Sequence, residues 1–236
     1  MNLTEIQKDS LRELGNIGSG NAATALSQLL GRDISLSVPQ VTIVPVEKIG
    51  EKMGKNQGII AAIYLKIFGD IPSRALMIFP QDKLFLMIDM LMKRQLGETK
   101  AFGETEQSAI KEIGNILISA YMNAIAKFIG LNGVPSVPAL AVDMAAAVFQ
   151  TISAEMAETG DTALLIENDM IEETTKVVST IYLIPDGDGI EDRVNIYSGS
   201  HTGYIQHTIL HPADHVQIDH EIDILQRHRR IGSKMF

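Results

Sequence analysis

The chain has 236 residues, is 45% hydrophobic, carries a net charge of −9 and contains no cysteine. The acidic balance argues against nucleic acid, since neutralising phosphates takes clustered Lys and Arg and no such stripe occurs. Without cysteine there is no disulfide framework, thiolate nucleophile or Cys-based zinc site, so any metal chemistry falls to His or carboxylates.

In chain order, Thr4-x-x-Gln7 has the form of a capping box, and the residues after it run without proline to Leu30, with Gly31 as a stop. That predicts a first helix of about seven turns. Val41–Val46, Ile59–Phe68 and Ala75–Phe79 are rich in β-branched and large apolar residues and read as strands. Gly69, Asp70 and Pro72 make the last two a hairpin. Leu84, Ile88 and Leu91 recur at helical intervals within Gln81–Lys93, and Gln95–Gly103 is a polar linker. Thr105–Ile129 is the second long helix. Ala141–Glu158, rich in Ala and Met, is expected to be mostly helical, which gives the second half its own insertion. Ala163–Glu167 and Lys176–Ile184 read as strands answering the first hairpin. A closing helix equivalent to Gln81–Lys93 is due after Pro185, yet Asp186-Gly187-Asp188-Gly189 is turn-like. No stretch reaches about eighteen uncharged apolar residues, and the first residues lack a basic region followed by an apolar run. The expectation is a soluble, cytoplasmic protein without membrane insertion.

The chain states one pattern twice. Asp9-x3-Glu13-x2-Asn16 followed by Pro39 recurs 99 residues later as Ser108-x3-Glu112-x2-Asn115 followed by Pro138. Shared Gly15/Gly114, Ile17/Ile116, Ala25/Ala124, Gly31/Gly130, Ser37/Ser136 and Val38/Val137 mark an internal duplication. At about 100° per residue, Asp9, Glu13, Asn16 and Gly20 fall within roughly 60° of one another, with Leu11, Ala22, Ala25 and Leu29 on the opposite face. Ser108, Glu112, Asn115 and Ser119 form the matching stripe, with Ile110, Ile113, Leu117 and Phe128 on the other faces. Exposed Glu and Asn on a single amphipathic helix are ordinarily a solvated face. Asn, however, is a mediocre helix former, so its retention mid-helix in both copies points to use.

The doubled Asp/Ser-x3-Glu-x2-Asn-x22-Pro pattern, with Glu13-Leu14-Gly15-Asn16-Ile17-Gly18-Ser19-Gly20 in the first copy, resembles the CheC family of chemotaxis phosphatases over roughly residues 1–185. The resemblance implies an α/β fold of two internal repeats, about 1–96 and 104–185, in which two long equivalent helices carry equivalent sites on a pseudo-two-fold surface. Residues 186–236 would be a divergent C-terminal extension, and the expected state is a monomer. The implied substrate is the aspartyl phosphate of the response regulator CheY, with Mg²⁺ expected on that partner and no cofactor or metal bound by this chain. Hydrolysis then mainly requires aiming a water at phosphorus, which a neutral Asn amide does without taking its proton. Asn16 and Asn115 would orient water, while Glu13 and Glu112 would reach the receiver's cationic lysine. Asp9, Ser108, Pro39 and Pro138 belong to the motif without an assigned chemical role. The family also implies an alternative, a mainly non-enzymatic adaptor binding the receptor deamidase CheD or flagellar switch components. CheD is the expected second partner, docking on the segment Asp143–Glu158.

Other candidates are weaker. Gly15-x-x-Gly18-x-Gly20 follows no strand and precedes no Lys-Ser/Thr, so close helix packing explains it better than a phosphate loop. The smaller side chains Gly18, Gly20 and Ala22 predict a flatter surface at Asn16 than Leu117, Ser119 and Tyr121 give at Asn115. All six histidines lie between His201 and His228, where Pro212 interrupts the helical spacing of His207, His211 and His215. Met87, Met90 and Met92 read as adaptable core.

Overall fold

The computed structural model describes residues 3–53, 58–70, 72–130, 132–158 and 160–186. Two helices of equal length dominate, α1 (Glu5–Leu30) and α4 (Glu104–Ile129). Their ends are set locally. Thr4 Oγ1 accepts the Gln7 N–H while the Gln7 side chain accepts the Thr4 N–H at 2.7 Å, and Gly31 closes α1 in the left-handed conformation, φ 64°. In α4 the Glu106 carboxylate accepts the Gly103 N–H at 3.1 Å and pairs with Arg94 at 2.9 Å, and Gly130 closes the helix at φ 69°.

Among the described residues the strands are β1 (Ile34–Leu36), β2 (Gln40–Pro45), β3 (Ile59–Gly69), β4 (Ser73–Pro80), β5 (Gly133–Pro135), β6 (Ala139–Met144), β7 (Thr162–Glu172) and β8 (Val178–Pro185). All eight join one antiparallel sheet in the order β1-β7-β8-β4-β3-β5, with β2 also on β7 and β6 also on β3. The two halves exchange strands: β1 and β2 of the first pair with β7 of the second, and β5 and β6 of the second pair with β3 of the first. The registers correspond, Ile34 facing Glu172 as Gly133 faces Gly69, and Gln40 facing Glu167 as Ala139 faces Tyr64. At the centre β4 pairs with β8, and the pseudo-dyad passes through the pair Leu76–Tyr182. The fold is thus α/β with an internal two-fold.

Alternation along the strands builds two buried faces. Ile60, Ala62, Leu76, Ile78, Leu165, Tyr182 and Ile184 pack with α2 (Ile49–Met53) and α5 (Ala145–Met156), whose Phe149, Ile152 and Met156 close that core. On the other face Ile63 and Ile166 lie against Gly114 and Gly15 of the long helices. Helix α3 (Gln81–Leu91) buries Leu84, Met87 and Met90, while Met92 just beyond it is half-buried.

Two expectations need correction. Ala141–Glu158 is mostly helical as expected, in α5, but its first four residues belong to β6, and the helix starts at Ala145. Pairing with β3 supplies β6 with partners that Ala-rich composition hides, and β6 is the counterpart of β2 at the same 99-residue offset. The second half's insertion is correspondingly small. The β2–β3 connection, with a 3-10 turn at Val46–Lys48 and α2, and the β6–β7 connection, with α5, hold equivalent places. The expected closing helix after Pro185 and the histidine segment lie outside the described residues.

Candidate active site

Helix α1 places Glu13 and Asn16 at the surface with Asp9, while Leu11, Ala22 and Ala25 are buried beneath and Leu29 is half-buried. Helix α4 places Ser108 and Glu112 at the surface and Asn115 half-buried, over buried Ile110, Ile113 and Leu117. Phe128 departs from this pattern, being partly exposed at the last turn. Each motif therefore forms one stripe on the outer side of its helix. Among the described residues, the side chains of Glu13, Asn16, Glu112 and Asn115 have no hydrogen-bond or ion-pair partner within the chain. These groups are presented to solvent rather than spent on the fold.

Glycines beside the asparagines set how closely the helices seat. A Cβ on Gly15 would lie 2.9 Å from Pro39 Cβ and 3.1 Å from Ile166 Cγ2, and one on Gly114 would lie 2.6 Å from Ile63 Cγ2. Pro39 is thus a buried packing residue under the Asn16 turn, whereas Pro138 is half-buried. Gly18 lies against the ring of Tyr121, where a Cβ would come within 2.8 Å, so α1 and α4 meet there. Tyr121 is buried, which pushes its phenol pKa up, and its hydroxyl donates to Asn168 Oδ1 at 3.4 Å. Gly20 has nothing within 4 Å and needs another account than close packing.

The predicted contrast in surface shape between the two asparagines does not hold. Gly18, Ala22, Leu117 and Tyr121 are all buried, so only Gly20 and Ser119 remain near the surface beside them. The contrast is electrostatic instead. Asp9 forms an ion pair with Arg12 next to Glu13, whereas Ser108 supplies no carboxylate beside Lys111 and Glu112. Counting these side chains, the first stripe carries a net charge of −1 and the second is neutral.

One element escaped the sequence reading. In the Ser-Val-Pro triplets at 37–39 and 136–138 the serines pin the turn to the opposite half. Ser37 N–H donates to Asp169 O and Ser37 Oγ accepts the Asp169 N–H, both at 2.9 Å. Ser136 N–H donates to Lys66 O at 2.7 Å and Ser136 Oγ accepts the Lys66 N–H at 3.0 Å. Their identity in both copies was the available signal. Among the described residues no group of three or more His, Asp or Glu side chains is placed to hold a metal, and no helix is long and apolar enough to cross a membrane.

The two stripes coincide with what the chain shares with known proteins. The model of the CheC-like family matches residues 6–43 and again 106–142, one match per repeat. CheY-P phosphatase CheC of Bacillus subtilis (strain 168) is 29% identical over 197 residues, 80% of this chain and 92% of that protein. The flagellar motor switch phosphatase FliY of the same organism is 30% identical over 118 residues, half of this chain and 31% of that protein. The crystal structure of Thermotoga maritima FliY superposes with a TM-score of 0.67 at 22% identity, covering 84% of this chain and 99% of that one. The duplicated motif and the doubled family-model match coincide, and the fold is shared with Thermotoga maritima FliY, so it is the CheC-like family that this chain resembles in both repeats.

Proposed function

We propose that this protein is a phosphatase acting on the aspartyl phosphate of a CheY-type response regulator, with one site on α1 and one on α4. The observation that carries this reading is the pair of Glu/Asn sets, solvent-facing and without internal partners, at identical positions of two equal helices. A catalytic role explains why the fold leaves four polar side chains unused beside glycines that have no room for a Cβ.

In this mechanism Glu13 or Glu112 engages the receiver's lysine near the phosphorylated aspartate in a charge-assisted hydrogen bond. The Asn16 or Asn115 amide holds a water in line with the acyl phosphate, its oxygen accepting a hydrogen bond from the water. The water oxygen bonds to phosphorus as the bond from phosphorus to the aspartate oxygen breaks. The aspartate leaves as a carboxylate, the product is inorganic phosphate, and the water's proton goes to the phosphate or to solvent. Mg²⁺, expected on the receiver, would share the developing charge there. An amide is not a general base, so the chain's contribution is positioning. A hundredfold acceleration needs about 2.7 kcal/mol, within the reach of orientation.

The test is phosphate release from phosphorylated CheY with wild type, Asn16→Ala, Asn115→Ala and the double variant. Acceleration by wild type and none by the folded double variant is expected. A wild type without effect on the rate sinks this reading.

A second reading, an adaptor for CheD or switch components, is favoured by one observation: Ile59, Val142 and Met144 are exposed along paired strands β3 and β6, at the start of the segment Asp143–Glu158. A pulldown with CheD that survives Asn16→Ala plus Asn115→Ala would place adaptor and phosphatase activities on separate surfaces. Loss in that variant would merge them.

A further inference from the structure

On the turn between the two short strands that follow each long helix stands a valine that the fold holds in the open. Val38 is 76% exposed and Val137 is 89% exposed, at equivalent positions of the two repeats. A single exposed valine is unremarkable on a protein surface. Here the same residue stands at the same place twice, on turns fixed by long-range hydrogen bonds on the preceding residue. Next along the chain, Pro39 is wedged against Gly15, the neighbour of Asn16. Val38 is therefore anchored on both sides, one residue from a contact that supports the first Glu/Asn pair.

We propose that Val38 and Val137 are docking residues for the phosphorylated receiver, each entering an apolar hollow beside its aspartyl phosphate while the adjacent Glu/Asn pair addresses the phosphate itself. This rests on the phosphatase reading above and adds a specificity element to it. The occupant is the receiver because Val38 is linked through Pro39 and Gly15 to the Glu/Asn pair that addresses the phosphate, and two physical arguments favour a valine at such a contact. A β-branched side chain on a pinned turn loses little conformational freedom when it is covered, so its burial is retained as affinity. The polar stripes also offer only charge and hydrogen bonds, which steer and orient a partner, whereas an apolar contact adds affinity that is insensitive to salt. Val38 and Val137 touch no reacting group and act by holding the receiver in register.

The experiment is steady-state dephosphorylation of phosphorylated CheY by the full chain carrying Val38→Asp plus Val137→Asp, with Val38→Ile plus Val137→Ile as the conservative pair. The aspartate pair is expected to raise KM about tenfold, equivalent to about 1.4 kcal/mol, with kcat unchanged. The isoleucine pair should keep the wild-type KM. Val38→Ser plus Val137→Ser, which adds no charge, should move KM in the same direction and separates lost apolar contact from repulsion. An unchanged KM in the aspartate and serine pairs, with Asn16→Ala plus Asn115→Ala inactive, overturns the docking role and leaves the phosphatase reading standing. A fall in kcat without a rise in KM also overturns it. Should wild type prove inactive, the phosphatase reading fails, and titration with CheY carrying beryllofluoride decides the docking role. Equal affinity for wild type and the aspartate pair would then reject it.

Discussion

Pro39 occupies the space that a side chain on Gly15 would need: its Cβ lies 2.9 Å from where a Gly15 Cβ would stand. This contact couples the motif proline to the motif asparagine, because Asn16 follows Gly15 directly. Gly15→Ala should push α1 off the Ser-Val-Pro turn and cost about 1–3 kcal/mol by overpacking. Gly20→Ala, in the same helix interior with nothing within 4 Å, should instead stabilise by up to about 1 kcal/mol through helix propensity alone. Thermal unfolding of the two variants checks this. A gain for both would show that Gly15 is not packing-limited.

The unequal charge of the two stripes predicts unequal use. The first stripe carries net −1 and the second is neutral, so the α1 site should attract a receiver's lysine more strongly. Asn16→Ala should then lower the rate of phosphate release more than Asn115→Ala at low ionic strength. Adding Ser108→Asp to Asn16→Ala should recover a few-fold of the lost rate, an effect that shrinks toward 1 M salt. Rates measured across salt concentrations check both statements.

Gly18 and Tyr121 define the α1–α4 contact. Tyr121→Phe keeps the ring under Gly18 but withdraws the proton given to buried Asn168 Oδ1, leaving that acceptor without this donor. The expected loss is about 1–3 kcal/mol in denaturant unfolding. Phosphatase activity at temperatures where the variant is folded should change little, since no motif side chain touches the hydroxyl.

Much of this was written locally in the chain. Thr4, Gln7 and Gly31 announce α1 because capping acts over a few residues, and the Glu/Asn stripe follows from helical period alone. The strand exchange was not legible. Nothing near Gln40–Pro45 says that its partner is β7, more than a hundred residues away, since pairing is set by tertiary packing. β6 was hidden by Ala141 and Ala145–Ala147, whose helix propensity outweighs strand signals in a short window, although the 99-residue offset from β2 marks the strand. The surface beside the asparagines was misjudged for a related reason. Neighbours in sequence such as Gly18 and Leu117 turn toward the helix–helix or helix–sheet contact and never shape the outer face.

Glu172 ties acid stability to the end of β7. Burial alone would push its carboxyl up, but hydrogen bonds from Thr175 Oγ1 and from the Thr175 and Thr174 backbone N–H groups outweigh it, and its pKa falls to about 2. Arg32 adds a contact at 3.3 Å. A folded-state pKa below the unfolded value near 4.5 means that the ionised form stabilises the fold above that value. The contribution is lost as pH falls from about 4.5 toward 2, on the order of 3 kcal/mol in all. Glu172→Gln should therefore lower stability at pH 7 by a similar order and flatten the dependence between pH 4.5 and 2. Urea unfolding at stepped pH values measures both, and an unchanged slope in the variant would assign the acid sensitivity to other carboxylates.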